Sequence, residues 1–293
     1  MAEQVGGSLA ALIQRRVEAD SFRLPVFNPV ALKVMQSLRE QADMSQVERL
    51  ICKDPGLAAE VLRVANSALF SGLSASADLK QALVRLGSAQ VTNVVMLAAQ
   101  EQAFQAGSPM LESRMKRLWL HSMISAMAGR WIADKAGLRD EREHAFLAGL
   151  LHDVGSLVIV RVMDELIRDG QATDVTDQLL DELIDSLHTN FGYQVLVAWE
   201  LPQMYADVTR DHEQDARRSA PPLLAVIRLV DAACRLLGVG QPADPDVVLE
   251  DLPETQRLGL KPVVLAELEI FIEDTAHKAG CKDVGRVDGA IGA

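Results

Sequence analysis

Hydrophobic spacing constrains the fold of this chain more than any other feature of the sequence. Leucine, valine and alanine recur every three or four residues in almost every long segment, and no segment sustains a strict alternation of apolar and polar residues. Such a period places the apolar side chains on one face of a helix, whereas a strand requires a period of two. The sequence therefore predicts an all-α fold.

Caps and breaks predict the boundaries between the helices. Asp54 followed by Pro55 predicts a helix that begins at the proline and is capped by the aspartate, and Ser45–Glu48 predicts a capping box. We expect Gly87 to end a short helix in a left-handed conformation. The clearest break is Gly107-Ser108-Pro109, which predicts a boundary between two helical lobes.

These breaks predict three parts. Residues 1–20 form an amino-terminal extension whose helix, about Ser8–Ala19, carries an apolar stripe; packing on its own domain is the favoured use of that stripe. Residues 21–240 form the main domain, with an amino-terminal lobe at 21–107 and a second lobe at 108–240. Residues 241–293 form carboxy-terminal helices that pack on the domain.

Charge and cysteine content exclude several classes of function. The net charge is −12, with 41 acidic and 29 basic residues, which opposes a nonspecific grip on nucleic acid. The three cysteines lie far apart, so neither a disulfide framework nor a zinc-thiolate site is indicated. The amino terminus does not resemble a signal peptide, and no apolar run is predicted to span a membrane. We therefore expect a cytoplasmic protein.

One polar pair stands in an otherwise apolar segment. His152 and Asp153 lie within Ala145–Gly155, inside a predicted helix from Asp140 to Arg168. Buried polar groups are costly unless they are hydrogen-bonded or bind a cation. Together with His121 and Asp231 on other predicted helices, the pair forms a ligand set suited to manganese, iron or zinc.

Two interpretations without a metal also satisfy these residue types. His121 alone is typical of a core histidine bonded to a backbone carbonyl, and a direct hydrogen bond between His152 and Asp231 would satisfy both groups. A metal at this position would instead activate water towards a phosphate ester. The sequence leaves these alternatives open.

An ordered series of motifs extends over nearly the whole chain. They are Leu24-Pro25 with Pro29 and Lys33, Asp54-Pro55-Gly56-Leu57, Leu62-Arg63-Val64-Ala65-Asn66-Ser67, Ala82-Leu83-Val84-Arg85-Leu86-Gly87, Leu118-Trp119-Leu120-His121-Ser122, Ala145–Gly155, His188 with Gly192, and Trp199-Glu200-Leu201-Pro202. In this order they resemble the HDOD domains, bacterial signalling relatives of the HD phosphohydrolases. The resemblance implies two packed helical lobes, the second of them HD-like, and it places His121, His152, Asp153 and Asp231 at the HD metal positions.

The chain departs from the phosphodiesterase relatives, the HD-GYP group, at three places. Ser156 stands where those enzymes carry a lysine, and Asp211-His212 stands where they carry paired histidines. Residues 213–218 replace the Gly-Tyr-Pro loop. With His188, the Asp211-His212 pair remains a candidate ligand set for a second ion.

The resemblance and these departures favour a regulatory module over an enzyme. We expect it to act without catalysis, by binding a signalling protein or a nucleotide second messenger. The alternative is a metal-dependent phosphohydrolase or phosphodiesterase, in which His188 or His212 would donate the proton. The sequence does not determine the oligomeric state.

Overall fold

The protein is described by a computed structural model over residues 9–17, 28–67, 70, 76–101, 106–214 and 220–279. Every regular element within these ranges is helical, which confirms the predicted all-α fold. The ends predicted for the first helix at Ser8 and Ala19, the motif Leu24-Pro25 and residues 215–218 lie outside the described residues.

The helix bounds follow the caps and breaks closely. The helices are α1 (9–17), α2 (Pro29–Arg39), α3 (Met44–Ile51), α4 (Pro55–Ala65), α5 (Leu79–Glu101), α6 (Pro109–Lys135), α7 (Arg142–Leu151), α8 (Val154–Arg168), α9 (Asp177–Ala198), α10 (Gln203–Asp211), α11 (Pro222–Leu237), α12 (Pro253–Arg257) and α13 (Pro262–Lys278). Short 3₁₀ turns precede α7 and α12. The chain divides into two compact units, residues 23–104 and residues 1–22 with 105–293.

Capping side chains organise the unit of residues 23–104, in which α2, α3 and α4 pack against α5. Asp54 caps α4 by accepting from the Leu57 amide at 3.0 Å, and its second oxygen accepts from Asn28, the cap of α2, at 2.6 Å. Gly87 has a positive φ of 73°, as predicted, but its ψ of 165° lies outside the left-handed helical region, and α5 continues beyond it after a kink. The predicted capping box at Ser45–Glu48 is wrong. Asp43 caps α3 instead, because its carboxylate accepts from the Gln46 amide at 2.8 Å and starts the helix earlier.

In the other unit α6 is central and packs against α7, α8, α11 and α13, while α9 lies between α8 and α10. The stripe of α1 is buried at Leu9, Ile13 and Val17. Arg16 on the same helix forms an ion pair with Asp169 at 2.8 Å. This helix thus packs on its own unit, as its apolar spacing favoured.

The predicted continuous helix from Asp140 to Arg168 is wrong, because it divides at His152 and Asp153. Helix α7 ends before the pair and α8 begins after it, with Asp153 at φ −103° and ψ 16°. Neighbouring residues of a continuous helix diverge by about 100°. The break lets both side chains turn towards the same place.

Two helical stretches, Leu79–Gln100 and Arg139–Arg168, are long and apolar enough to cross a membrane by length and composition alone. However, 61% of the apolar 18-residue segment of the first and 89% of that of the second is buried inside the protein. Most of the apolar surface of each stretch is therefore covered by packing within the protein.

We predict that Asp54→Ala destabilises the protein by about 1–2 kcal/mol, because α4 loses its cap and Asn28 loses its carboxylate partner. Urea unfolding would measure the loss. Asp43→Ala is the matched control, because it removes a cap without such a partner and should cost less. Equal stability of Asp54→Ala and the parent protein would contradict this account of α4.

Candidate metal centre

Six helices, α6 to α11, bring polar side chains to one place in the unit that contains α6 to α13. His121 comes from α6, the pair His152 and Asp153 from the break between α7 and α8, and Asp231 from α11. The other contributors are His188 of α9 and, directly after α10, His212 and Glu213. Apart from the partly buried Asp153 and Asp231 and the exposed Glu213, these side chains are buried.

The four residues predicted as the metal quartet lie together. His121 Nε2 is 3.1 Å from His152 Nε2, 3.4 Å from Asp153 Oδ2 and 3.5 Å from Asp231 Oδ1. Two ligands of a tetrahedral ion with bonds of about 2.0–2.1 Å are separated by about 3.4 Å. The spacing of the quartet therefore fits a first-row divalent cation.

A second group lies beside the first and shares Asp153. The Oδ1 atom of Asp153 is 3.3 Å from His212 Nε2 and 3.7 Å from His188 Nε2, while its Oδ2 atom faces His121. His188 Nε2 is also 3.6 Å from Glu213 Oε1. Asp153 thus presents Oδ2 to His121 and Oδ1 to the second group, and His152 Nε2 also lies 3.8 Å from Oδ1.

Backbone carbonyls fix the orientation of three of the histidines. His152 Nδ1 donates to the Gly149 carbonyl at 2.8 Å, His188 Nδ1 to the Ile184 carbonyl at 2.8 Å, and His212 Nδ1 to the Thr209 carbonyl at 2.9 Å. A carbonyl only accepts, so each Nδ1 carries a hydrogen and each Nε2 atom is directed into the cluster. Such anchoring is typical of metal-bound histidines.

Neither of the interpretations without a metal matches the contacts. His152 Nε2 and Asp231 Oδ1 are 4.0 Å apart, which is too long for a hydrogen bond. Among the described atoms, His121 Nδ1 has no hydrogen-bond partner, so this ring is not held by a backbone carbonyl. The contacts of His121 within the cluster are made by its Nε2 atom.

Asp211, predicted as a ligand of a second ion, is directed elsewhere. Its carboxylate accepts from Arg210 at 2.7 and 2.8 Å and from Gln214 at 2.9 Å. The guanidinium of Arg210 lowers the pKa of Asp211 below its usual value. Glu213, rather than Asp211, lies beside His188. The sequence could have indicated this, because Glu213 directly follows His212.

Close helix contacts set these distances. An ideal Cβ on Gly149 would lie 2.4 Å from the Ser125 carbonyl oxygen, and one on Gly155 would lie 1.9 Å from the His188 carbonyl oxygen. Gly149 therefore brings α7 against α6, and Gly155 brings α8 against α9. The two glycines flank the His152-Asp153 break and hold it between its neighbours.

Protons balance the charge of the cluster when no cation is bound. Burial opposes the charge on His121 and His212, but Cys234, Asp153 and Asp231 raise the pKa of His121 to about 10, and Asp153 above all raises that of His212 to about 9. Burial, with repulsion from His212 and His121, lowers the pKa of His152 to about 4. The protonated His121 Nε2 then donates to His152 Nε2 at 3.1 Å.

The cluster opens into a cleft of about 680 Å³. Among the described residues that line it, six are acidic and three are basic, the latter being Arg114, Arg117 and Arg235. Sequence reasoning missed these arginines, although their spacing was a signal. Arg114 and Arg117 precede His121 by seven and four positions, and Arg235 follows Asp231 by four, so each shares a helix face with a ligand.

The sequence model of the HDOD domain family matches residues 24–215. The chain belongs to the HDOD family. Asp231 and the arginine at 235 lie beyond the matched residues, so the match covers only part of the cluster. This HDOD protein is also 21% identical over 255 residues to an uncharacterized protein of Treponema pallidum strain Nichols, covering 84% of this chain and 47% of that one. The chain thus spans about half the length of that curated relative.

Solved structures share the fold. An HDOD domain protein of unknown function from Geobacter sulfurreducens superposes with a TM-score of 0.71 at 23% identity, covering 92% of this chain and 97% of that one. A protein of Shewanella amazonensis SB2B, provisionally named a metal-dependent phosphohydrolase, gives 0.62 at 21% identity, with 96% and 91% covered. A Marinobacter aquaeolei VT8 protein, provisionally named for signal transduction, gives 0.61 at 19%, with 93% and 66% covered.

We predict that Gly155→Ala is destabilising by at least about 3 kcal/mol, the upper end of common overpacking costs, because its Cβ meets backbone rather than a mobile side chain. Chemical denaturation would measure this loss. Gly259→Ala is the control, since that left-handed glycine has open space around it and substitution should cost only about 1 kcal/mol. A Gly155→Ala protein as stable as Gly259→Ala would show that α8 and α9 separate without strain.

We predict that divalent metal binding releases protons, because His121 and His212 are protonated in the metal-free cluster and must lose those protons to bind a cation. Affinity should rise with pH between 6 and 8.5, by up to about a hundredfold per unit for two protons. Calorimetry in buffers of different ionisation enthalpy counts the protons released. Identical binding heats in all the buffers would contradict the assignment.

Proposed function

We propose that this HDOD protein is a signal-transduction module that holds one or two divalent cations and binds a phosphate-bearing ligand, such as a nucleotide, in the cleft above them. The observation that carries the proposal is the cluster of carboxylates and anchored imidazoles. Its acceptors face one another, an arrangement that only protons or a cation can stabilise.

The residues divide into two ligand groups around Asp153. His121, His152 and Asp231 would hold one ion with Asp153, and His188, His212 and Glu213 would hold a second ion with the other Asp153 oxygen. Imidazole and carboxylate suit manganese, iron and zinc. When bound, such ions accept phosphate oxygens as ligands and lower the pKa of water.

Charge balance supports binding of an anion only after a cation is bound. Six acidic groups line the described part of the cleft against three arginines and the protonated His121 and His212, so the metal-free lining has a net charge of −1, which disfavours a phosphate. Two divalent cations add four positive charges while these two protons leave, so the net charge changes to +1. Arg117 is exposed at the cleft and supplies a guanidinium that suits phosphate oxygens.

We favour ligand binding without hydrolysis, because both nitrogens of each candidate proton donor are already engaged within the cluster. His188 and His212 each use Nδ1 on a backbone carbonyl and direct Nε2 towards Asp153. Ser156 also lines the cleft in place of the lysine of the phosphodiesterase relatives. The second candidate function, metal-dependent phosphohydrolysis, is favoured by the complete ligand set.

We predict that protein purified without chelators contains manganese, iron or zinc at one to two equivalents, and that Asp153→Asn lowers this content most because both groups share that side chain. Elemental analysis of the folded proteins provides the measurement. His144→Ala is the control, since His144 pairs with Tyr205 at 2.7 Å outside the cluster. Metal content equal in the two variants, or absent from the parent protein, would refute the metal site.

Ligand binding and turnover separate the two functions. We expect AMP to bind in the presence of Mn²⁺ and not after its removal, with no hydrolysis of a chromogenic phosphodiester. Calorimetry and absorbance report these two quantities. Metal-dependent turnover that disappears in Asp153→Asn and survives in His144→Ala would instead establish the hydrolase.

A further inference from the structure

An apolar groove lies between α13 and the segment before α12. It has a volume of about 880 Å³ and is formed by residues 243–250, one face of α13 and the end of α11. Leu236, Leu249 and Leu265 are buried along it. The groove is distinct from the metal cleft and lies beyond the residues matched by the family model.

Large aliphatic side chains remain exposed at this groove. Ile270 is 58% exposed and Val248 is 52% exposed, one on each side. On α13 the residues facing the groove include Pro262, Ala266 and Ile270, each one turn after the last, while Leu268 and Ile272 are buried. Helix α13 therefore has apolar side chains on both its buried face and its groove face, a pattern that marks an interaction surface.

The charged residues that line the groove have a single sign. Among the described residues that line it, the charged ones are Glu250, Glu269 and Glu273, and none is basic. The exposed Asp244 and Asp246 lie in the same segment as Glu250. A partner with an apolar stripe between basic side chains would match both the apolar lining of the groove and the glutamates beside it.

We propose that this groove, the α13 groove, binds a basic amphipathic helix of a partner protein. The groove face of α13 from Pro262 to Glu273 extends for about 17 Å at 1.5 Å per residue, so it accommodates about three turns of a helix. Apolar anchors spaced by three and four positions would enter between Val248 and Ile270, and lysines or arginines would face the glutamates. This proposal does not depend on a metal in the cleft.

The test uses the full chain and a synthetic helical peptide of 18 residues, with leucines at positions spaced by three and four and lysines elsewhere. Fluorescence anisotropy measures its affinity. We expect binding that weakens at least tenfold in Ile270→Lys and weakens with added salt. Val263→Lys is the matched control, because Val263 is 60% exposed on α13 and does not line the groove.

Two control peptides define the chemistry, one with glutamates replacing the lysines and one with the leucines scrambled, and neither should bind comparably. Equal affinity of the Ile270→Lys and Val263→Lys proteins, or of the scrambled and patterned peptides, would overturn the proposal. Self-association of the parent protein that Ile270→Lys abolishes would also overturn it, by assigning the groove to a second copy. Metal content should be the same in both variants, which separates this test from that of the cleft.

Discussion

The sharing of Asp153 between two sets of imidazoles is the interaction on which the rest of the site depends. Its Oδ2 atom faces His121 and its Oδ1 atom faces His188 and His212, so the carboxylate must be held in one orientation between α6 on one side and α9 and α10 on the other. A continuous helix could not do this, because it would carry Asp153 away from His152. The break between α7 and α8 is therefore part of the site, and the helices around it are arranged to support that break.

The family resemblance and the physical chemistry of the cluster constrain function in different ways. Membership of the HDOD family establishes the fold, and the related structures at 19–23% identity share that fold without determining an activity. The cluster has complete ligand groups, yet its cleft has an acidic wall. On the function proposed above, such a site would respond to the supply of metal before it responds to any anion, which would suit regulation.

Most of the fold follows from local sequence signals. Asp54-Pro55, Gly87 and Gly107-Ser108-Pro109 each act within a few residues, so their effects can be predicted without tertiary contacts. The break at His152-Asp153 could not be predicted in this way, since it depends on α6 and α9 approaching two glycines. Residue type alone predicted that His121, His152, Asp153 and Asp231 would form one set, and the structure brings them together. Residue type could not predict that Glu213 rather than Asp211 lies beside His188, because Arg210 decides the direction of the Asp211 side chain.

At Gly155 the backbone of α8 lies directly against the backbone of α9, at the His188 carbonyl. No side chain can stand between α8 and α9 at this point, because even a Cβ on Gly155 would lie 1.9 Å from the His188 carbonyl oxygen. The spacing of the candidate ligands therefore depends on this glycine as well as on the ligands themselves. Relatives could differ at the position of Ser156 and at the cleft arginines, and so gain or lose chemistry, while this contact kept α8 and α9 at the same separation.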